Sequence, residues 1–301
     1  MACDRPTDEQ RRPLSRFSVE DVRLRAGERG VSMSYSTVWR LLDRDALRPW
    51  RQRQWLFPCD PQLLQKARPV LELYHGRWQG EPLGPRDYVI SADEMTGLQA
   101  LSRLHAGLGP SAARASRYEF EYHREGTVCY LAFLDVFSGR VYGETSPTTG
   151  IKPFEAALAR CLALPRYQNA QRIFLVVDNG SAHHPSTSPA RLRQQFPQVE
   201  AVHLPTHSSW LNQVELYFSI VQRKALTPRD FPNREALEQR LLWYQWYYNQ
   251  HAEPFRWKYT VRDLERYVEK LARYEPVYAA ARETAALQTA SGAGVSESLT
   301  N

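Results

Sequence analysis

Apolar positions recur along this chain with two different periods, and the change from one to the other divides it. Up to about residue 80 the spacing is helical. Ser18-Val-Glu-Asp21 has the form of a helix start, Ser at the N-cap and an acid three residues on, and Gly30 closes the segment it opens. Ser34-Tyr-Ser-Thr37 opens a second helix, in which Val38, Leu41 and Leu42 fall at i, i+3 and i+4 and form one buried stripe. That stripe leaves Ser36, Thr37, Arg40 and Arg44 on the outer face. Two short helices joined by a tight turn, the second opening on hydroxyl residues and Arg, form the pattern of a helix-turn-helix reader. Arg51 and Arg53 follow in a basic, aromatic segment suited to phosphate contacts. Residues 61–80 are amphipathic and helical in spacing, and a Gly/Pro-rich joint at 80–85 marks a domain boundary.

Beyond the joint, short continuous apolar runs take over. Residues 88–93 read as a short strand with an acidic last residue. Residues 131–137 read as a buried strand, and Ser138-Gly139 as the turn of a hairpin into 140–143. The run 172–178 is a strand buried on both faces and ending in Asp. Helices are predicted over 151–164, 187–196, 210–226 and 233–250, with a strand over 199–204. The aromatic stretch 243–248 reads as helix packing in preference to a base-stacking platform. The predicted fold class is α/β, a mixed sheet with helices on its faces preceded by a small all-α module. The expected divisions are a DNA-binding module over 1–60, a helical linker over 61–85, a catalytic domain over 86–250, a helical extension over 251–285 and a disordered tail over 286–301.

Charge changes the picture through its location. Residues 1–70 carry 14 Lys and Arg against 9 Asp and Glu, so five of the six net positive charges lie in the first quarter of the chain. A basic terminal module on a nearly neutral body is the distribution of a nucleic-acid binder, although an ordinary solvated surface shows the same excess. At 43% hydrophobic and 24% charged the rest has a globular composition. No run approaches the ~18–20 apolar residues of a membrane span, and the first residues lack the apolar core of a secretory signal. The four cysteines lie far apart, without a C-x-x-C pair, so a reducing cytoplasm is the expected compartment. His183-His184 lacks further ligands at zinc spacing. No phosphate-binding G-x-x-x-x-G-K loop is present, so a nucleotide cofactor is not expected.

The candidate chemistry is acidic. Asp93 and Asp178 each end a predicted strand, where open α/β sheets place their ligand sites. A single such Asp is most often a turn former, but two, on apolar strands that could be neighbours, are less easily dismissed. Glu215 lies between Leu211 and Phe218 on a helix that buries Leu211, Val214, Phe218 and Val221, and so borders its packed face. An ion pair with an Arg would account for such a carboxylate; so would convergence of all three on hard cations such as Mg²⁺.

The strings SADEMTGLQA (91–100), VVDNGSAHH (176–184) and LPTHSSWLNQVELYFSIVQRKAL (204–226) resemble the catalytic motifs of IS630-group insertion-sequence transposases, within the Tc1/mariner superfamily. The likeness spans about residues 12 to 270. It implies an RNase H-like core with Asp93, Asp178 and Glu215 as a DDE triad, the last two 37 positions apart. It further implies two Mg²⁺ ions (Mn²⁺ substituting) and binding of double-stranded DNA, both element ends and target. Strand cleavage and transfer at TA, a homodimer in the synaptic complex, and a bacterial, nucleoid-associated setting complete the expectation. Asn179, His207, Trp210 and Asn212 are expected around the carboxylates: Trp210 and Asn212 fix the Glu215 helix against the strand ends, and His207 orders a substrate phosphate or a metal-bound water, or is a capping or surface residue. Met95 departs from the Lys frequent in related sequences. Only one helix-turn-helix unit precedes the core, beginning almost at Met1, which points to a truncated copy or an internal start. The rival readings are an RNase H-fold nuclease without strand transfer and a catalytically decayed DNA-binding copy.

Overall fold

The Ser18 hydroxyl accepts the Asp21 backbone N–H at 3.2 Å, and the Asp21 carboxylate accepts the Ser18 N–H at 2.8 Å. This reciprocal cap starts α1 (Val19–Glu28) where the sequence places it. The Ser34 hydroxyl caps α2 (Tyr35–Arg44) in the same way through the Thr37 N–H. The two helices enclose a small core of Phe17, Val19, Val22, Val38 and Leu42. Leu41, expected in that stripe, is 38% exposed, because a single partner helix covers only a narrow face of α2. The computed structural model describes residues 16–45, 48, 58, 60–227 and 229–273. The chain divides into two compact units at Phe57/Pro58. Arg51, Arg53 and the expected tail lie outside the described residues.

The larger unit begins with α3 (Leu63–Tyr74), a two-stranded ribbon of β1 (Arg77–Trp78) and β2 (Glu81–Pro82), then β3 (Asp87–Ser102), β4 (His123–Asp135) and β5 (Val141–Ser146). α4 (Ile151–Leu162), β6 (Arg172–Val177), α5 (Ser188–Gln195) and β7 (Val199–His203) follow. The described chain ends through α6 (Val214–Val221), α7 (Arg234–Asn249) and α8 (Val261–Leu271). Five strands form one sheet in the order β5-β4-β3-β6-β7, antiparallel across β5, β4 and β3, parallel from β3 through β6 to β7. Helices cover both faces, which is the mixed, RNase H-like arrangement expected. α4 and α5 pack on the face of Ile90, Ala92, Leu131, Phe133, Leu175 and Val177; α6 and α7 pack on the face of Val128, Tyr130, Ala132 and Leu134.

Three local differences from the sequence reading have physical causes. Strand β3 runs on to Ser102 instead of stopping at Asp93, because β4 pairs with it antiparallel along nearly its whole length. Gly97, at φ 67°, marks an irregularity of register between Met95 and Leu98, a bulge within the strand. Helix α3, expected as a linker, buries Leu63, Leu64, Ala67, Val70, Leu71 and Leu73 and packs against α8 and β7. On α7, Tyr244 and Tyr248 pack inward as expected, while Trp243 and Trp246 stand exposed. Gly139, at φ 68°, turns the β4–β5 hairpin where any Cβ would run into the backbone of Glu253 and Pro254.

Candidate active site

The parallel pairing of β3 with β6 ends at Ser91 opposite Val176. Two places further on, each segment carries an aspartate, Asp93 and Asp178, so the register sets the two carboxylates side by side. Strand alternation turns them to the α6 side of the sheet: Asp93 is opposite Ala132, in the layer under α6, and Val177 faces the other way.

A short chain of buried hydrogen bonds joins Asp93 to the start of α6. The Asn212 side-chain amide donates to Asp93 Oδ2 at 2.9 Å and to the Ala92 carbonyl at 3.1 Å. Its carbonyl oxygen accepts the Ser91 hydroxyl, and Ser91 Oγ in turn accepts the Val214 backbone N–H at 2.9 Å. Asn212 is fully enclosed. Ser91 was not singled out from the sequence, where it reads as strand filler. Asp93 Oδ1 accepts the Glu94 N–H at 2.7 Å. Asp178 Oδ1 accepts the Gly180 N–H at 2.9 Å, a turn closed on its own backbone. Asn179 anchors that turn by donating to the Leu204 carbonyl at 2.8 Å.

Glu215 stands in the first turn of α6, between buried Val214 and buried Tyr217 and Phe218, and its own surface is exposed. The helix dipole favours a carboxylate there. His207 is exposed with a left-handed φ of 57°, and Trp210 stands edge-on to Tyr259 at 5.5 Å between ring centroids. Neither makes a hydrogen bond to the carboxylates.

Burial and the charges of Asp178 and Glu215 push the Asp93 carboxyl up to about 7. Burial and Asp178 likewise raise Glu215 and Glu94. The acids thus repel one another, and among the described residues no Lys or Arg forms an ion pair with Asp93, Asp178 or Glu215. No three His, Cys, Asp or Glu side chains among the described residues already converge on one point. The donor set still fits a hard divalent cation: it is all oxygen and mutually repelling. A cavity of about 300 Å³ opens further along β3, lined by Leu101, Tyr118 and Gln222 among others; none of the three carboxylates lines it.

In the smaller unit Ser36, Arg40 and Arg44 are exposed on α2, with Arg44 Nε 3.1 Å from Asp45. The Thr37 hydroxyl, half-buried, lies 2.8 Å from that of Ser34. Tyr35 and Trp39, exposed beside them, were not singled out from the sequence. Arg40→Ala is expected to weaken binding to a cognate duplex by about 1–3 kcal/mol if Arg40 reads a base edge. Fluorescence anisotropy checks it, and unchanged affinity would remove Arg40 from the reading face.

A model of the DDE superfamily endonuclease family matches residues 88–238, half the chain. The chain belongs to that family. Among solved structures it is similar to the Mos1 mariner paired-end complex with Mn, at 15% identity over 79% of this chain and 68% of that one, TM-score 0.52. It is also similar to a pre-cleavage Mos1 transpososome, at 14% identity over 90% of this chain and 80% of that one, TM-score 0.47. At such identity the first likeness establishes a shared fold. No curated protein sequence matches. No helix among the described residues is long and apolar enough to cross a membrane.

Proposed function

We propose that the chain is a DNA transposase of the IS630 group of the Tc1/mariner superfamily, acting on the terminal inverted repeats of its element. One observation carries the proposal: Asp93 and Asp178 emerge in register on one face of the sheet, electrostatically coupled to Glu215, and among the described residues no Lys or Arg forms an ion pair with them. Family membership and the basic two-helix unit ahead of the core support it.

In this reading Asp93, Asp178 and Glu215 hold two Mg²⁺ ions, for which Mn²⁺ substitutes; related Mos1 complexes carry Mg or Mn. Held by these three carboxylates, such ions would supply activation of an attacking oxygen and stabilisation of a leaving one in phosphodiester exchange. The chain's own residues do the positioning. Asn212 and the Glu94 N–H fix both oxygens of Asp93, the Gly180 N–H fixes one of Asp178, and Asn179 holds the turn that carries it. Outer-face residues of α2, with Arg51 and Arg53, bind element ends. His207 and Trp210 stand at the exposed approach to α6, suited to the DNA backbone. Two copies pair the ends, as in the Mos1 paired-end complexes, and the product joins at TA in bacterial DNA, in the cytoplasm at the nucleoid.

A strand-transfer assay tests this, with labelled element-end DNA, a plasmid target and Mg²⁺ or EDTA. Joined products that require Mg²⁺ and vanish in Glu215→Gln are expected. Cutting without joining would favour the nuclease, and binding with neither a decayed copy.

A further inference from the structure

Beside the carboxylates, three buried polar atoms have no hydrogen-bond partner: Glu94 Oε1 and both ring nitrogens of His183. Glu94 follows Asp93 on β3, so strand alternation turns it to the opposite face, the layer of Ala92 and Leu131. His183 closes the turn that begins at Gly180, whose N–H binds Asp178. Its ring is 2% exposed and stands edge-on to Phe154, 4.1 Å between centroids. His183 Nε2 lies 4.0 Å from Glu94 Oε1. An imidazole N–H and a carboxylate are complementary, and a shift of about 1 Å brings them to hydrogen-bond distance. Left apart, both forfeit their hydration without compensation.

Their place on the backbone gives the pair a use. Pairing between β3 and β6 stops at Ser91 and Val176, two residues short of the aspartates. Beyond that point Asp93 is tied to β4 and Asn212, while Asp178 is tied to its own turn, anchored at Leu204. Glu94 and His183 belong to the two segments that run on beyond this pairing, with His183 Nε2 4.0 Å from Glu94 Oε1.

We infer that Glu94 and His183 form a clasp between the two aspartate-bearing segments, fixing the separation of Asp93 and Asp178 and with it their affinity for a divalent cation. Both are positioning residues. The inference rests on the metal-site reading above, so the test reports on the two separately. Mn²⁺ is titrated calorimetrically into the full-length protein, with Asp178→Asn as control, and the metal-free Tm of every variant is measured. Glu94→Gln and His183→Phe are each expected to weaken Mn²⁺ binding about tenfold or more. The double variant should bind no more weakly than the worse single one, since a clasp is lost once. His183→Phe keeps an aromatic ring beside Phe154, larger than the imidazole, and alters no charge at neutral pH, so its Tm should stay within a few degrees of wild type. Wild-type affinity in both singles, additive losses in the double, or losses that merely follow falling Tm would overturn the clasp. Wild-type protein that binds no Mn²⁺, or binds it regardless of Asp178→Asn, would overturn the metal reading and the clasp with it.

Discussion

Asp178→Asn is expected to reduce DNA cleavage by about 10³-fold or more, a loss of about 4 kcal/mol of transition-state stabilisation, while binding of element-end DNA stays within about twofold. Asparagine keeps the shape of the side chain and an oxygen to accept the Gly180 N–H, so the turn at the end of β6 survives. What disappears is the negative charge that couples to both Asp93 and Glu215. In the proposed reading element ends are bound chiefly through the smaller unit, to which Asp178 does not belong. Cleavage and filter-binding assays on the same preparation separate the two effects. Undiminished cleavage would remove Asp178 from the mechanism.

The second large effect is on stability, through Asp93. Its carboxyl ionises near 7 in the folded protein against 3.8 in the unfolded chain. Between those values the native state holds a proton that the unfolded state has released, so this group makes stability fall as pH rises from about 4 to about 7. His183, held down to about 4 by burial, works with the opposite sign between 4 and 6.5, which leaves 6.5 to 8 as the cleaner window. Metal-free protein should therefore lose Tm from pH 6.5 to 8, and Asp93→Asn should flatten most of that slope. A cation competes with the proton for the same oxygens, so Mn²⁺ should raise the wild-type Tm by several degrees at pH 8 and very little at pH 5. Equal stabilisation at both values would show that Asp93 is not among the groups the ion meets.

Local signals carried well from sequence to structure. Both caps in the smaller unit sit at Ser18 and Ser34, because an N-cap is settled within four residues. The apolar run that becomes β6 could hardly be anything but an interior strand, and its end at Asp178 was legible with it. Non-local facts did not carry. Ser91 gains its role only from Asn212, 121 residues away, and Glu94 meets His183 only because β3 and β6 are neighbours. The run of β3 past Asp93 was not legible either, since only the pairing with β4 carries the strand through the irregularity at Gly97.

That long β3 has a mechanical consequence. Asp93 lies in the interior of a sixteen-residue strand, bonded to β4 before and after it, whereas Asp178 hangs from a turn and Glu215 from the tip of a helix. The three acids therefore differ in how the backbone holds them: Asp93 by sheet pairing on both sides, Asp178 by a turn closed on Gly180 and anchored at Leu204, and Glu215 by the first turn of α6.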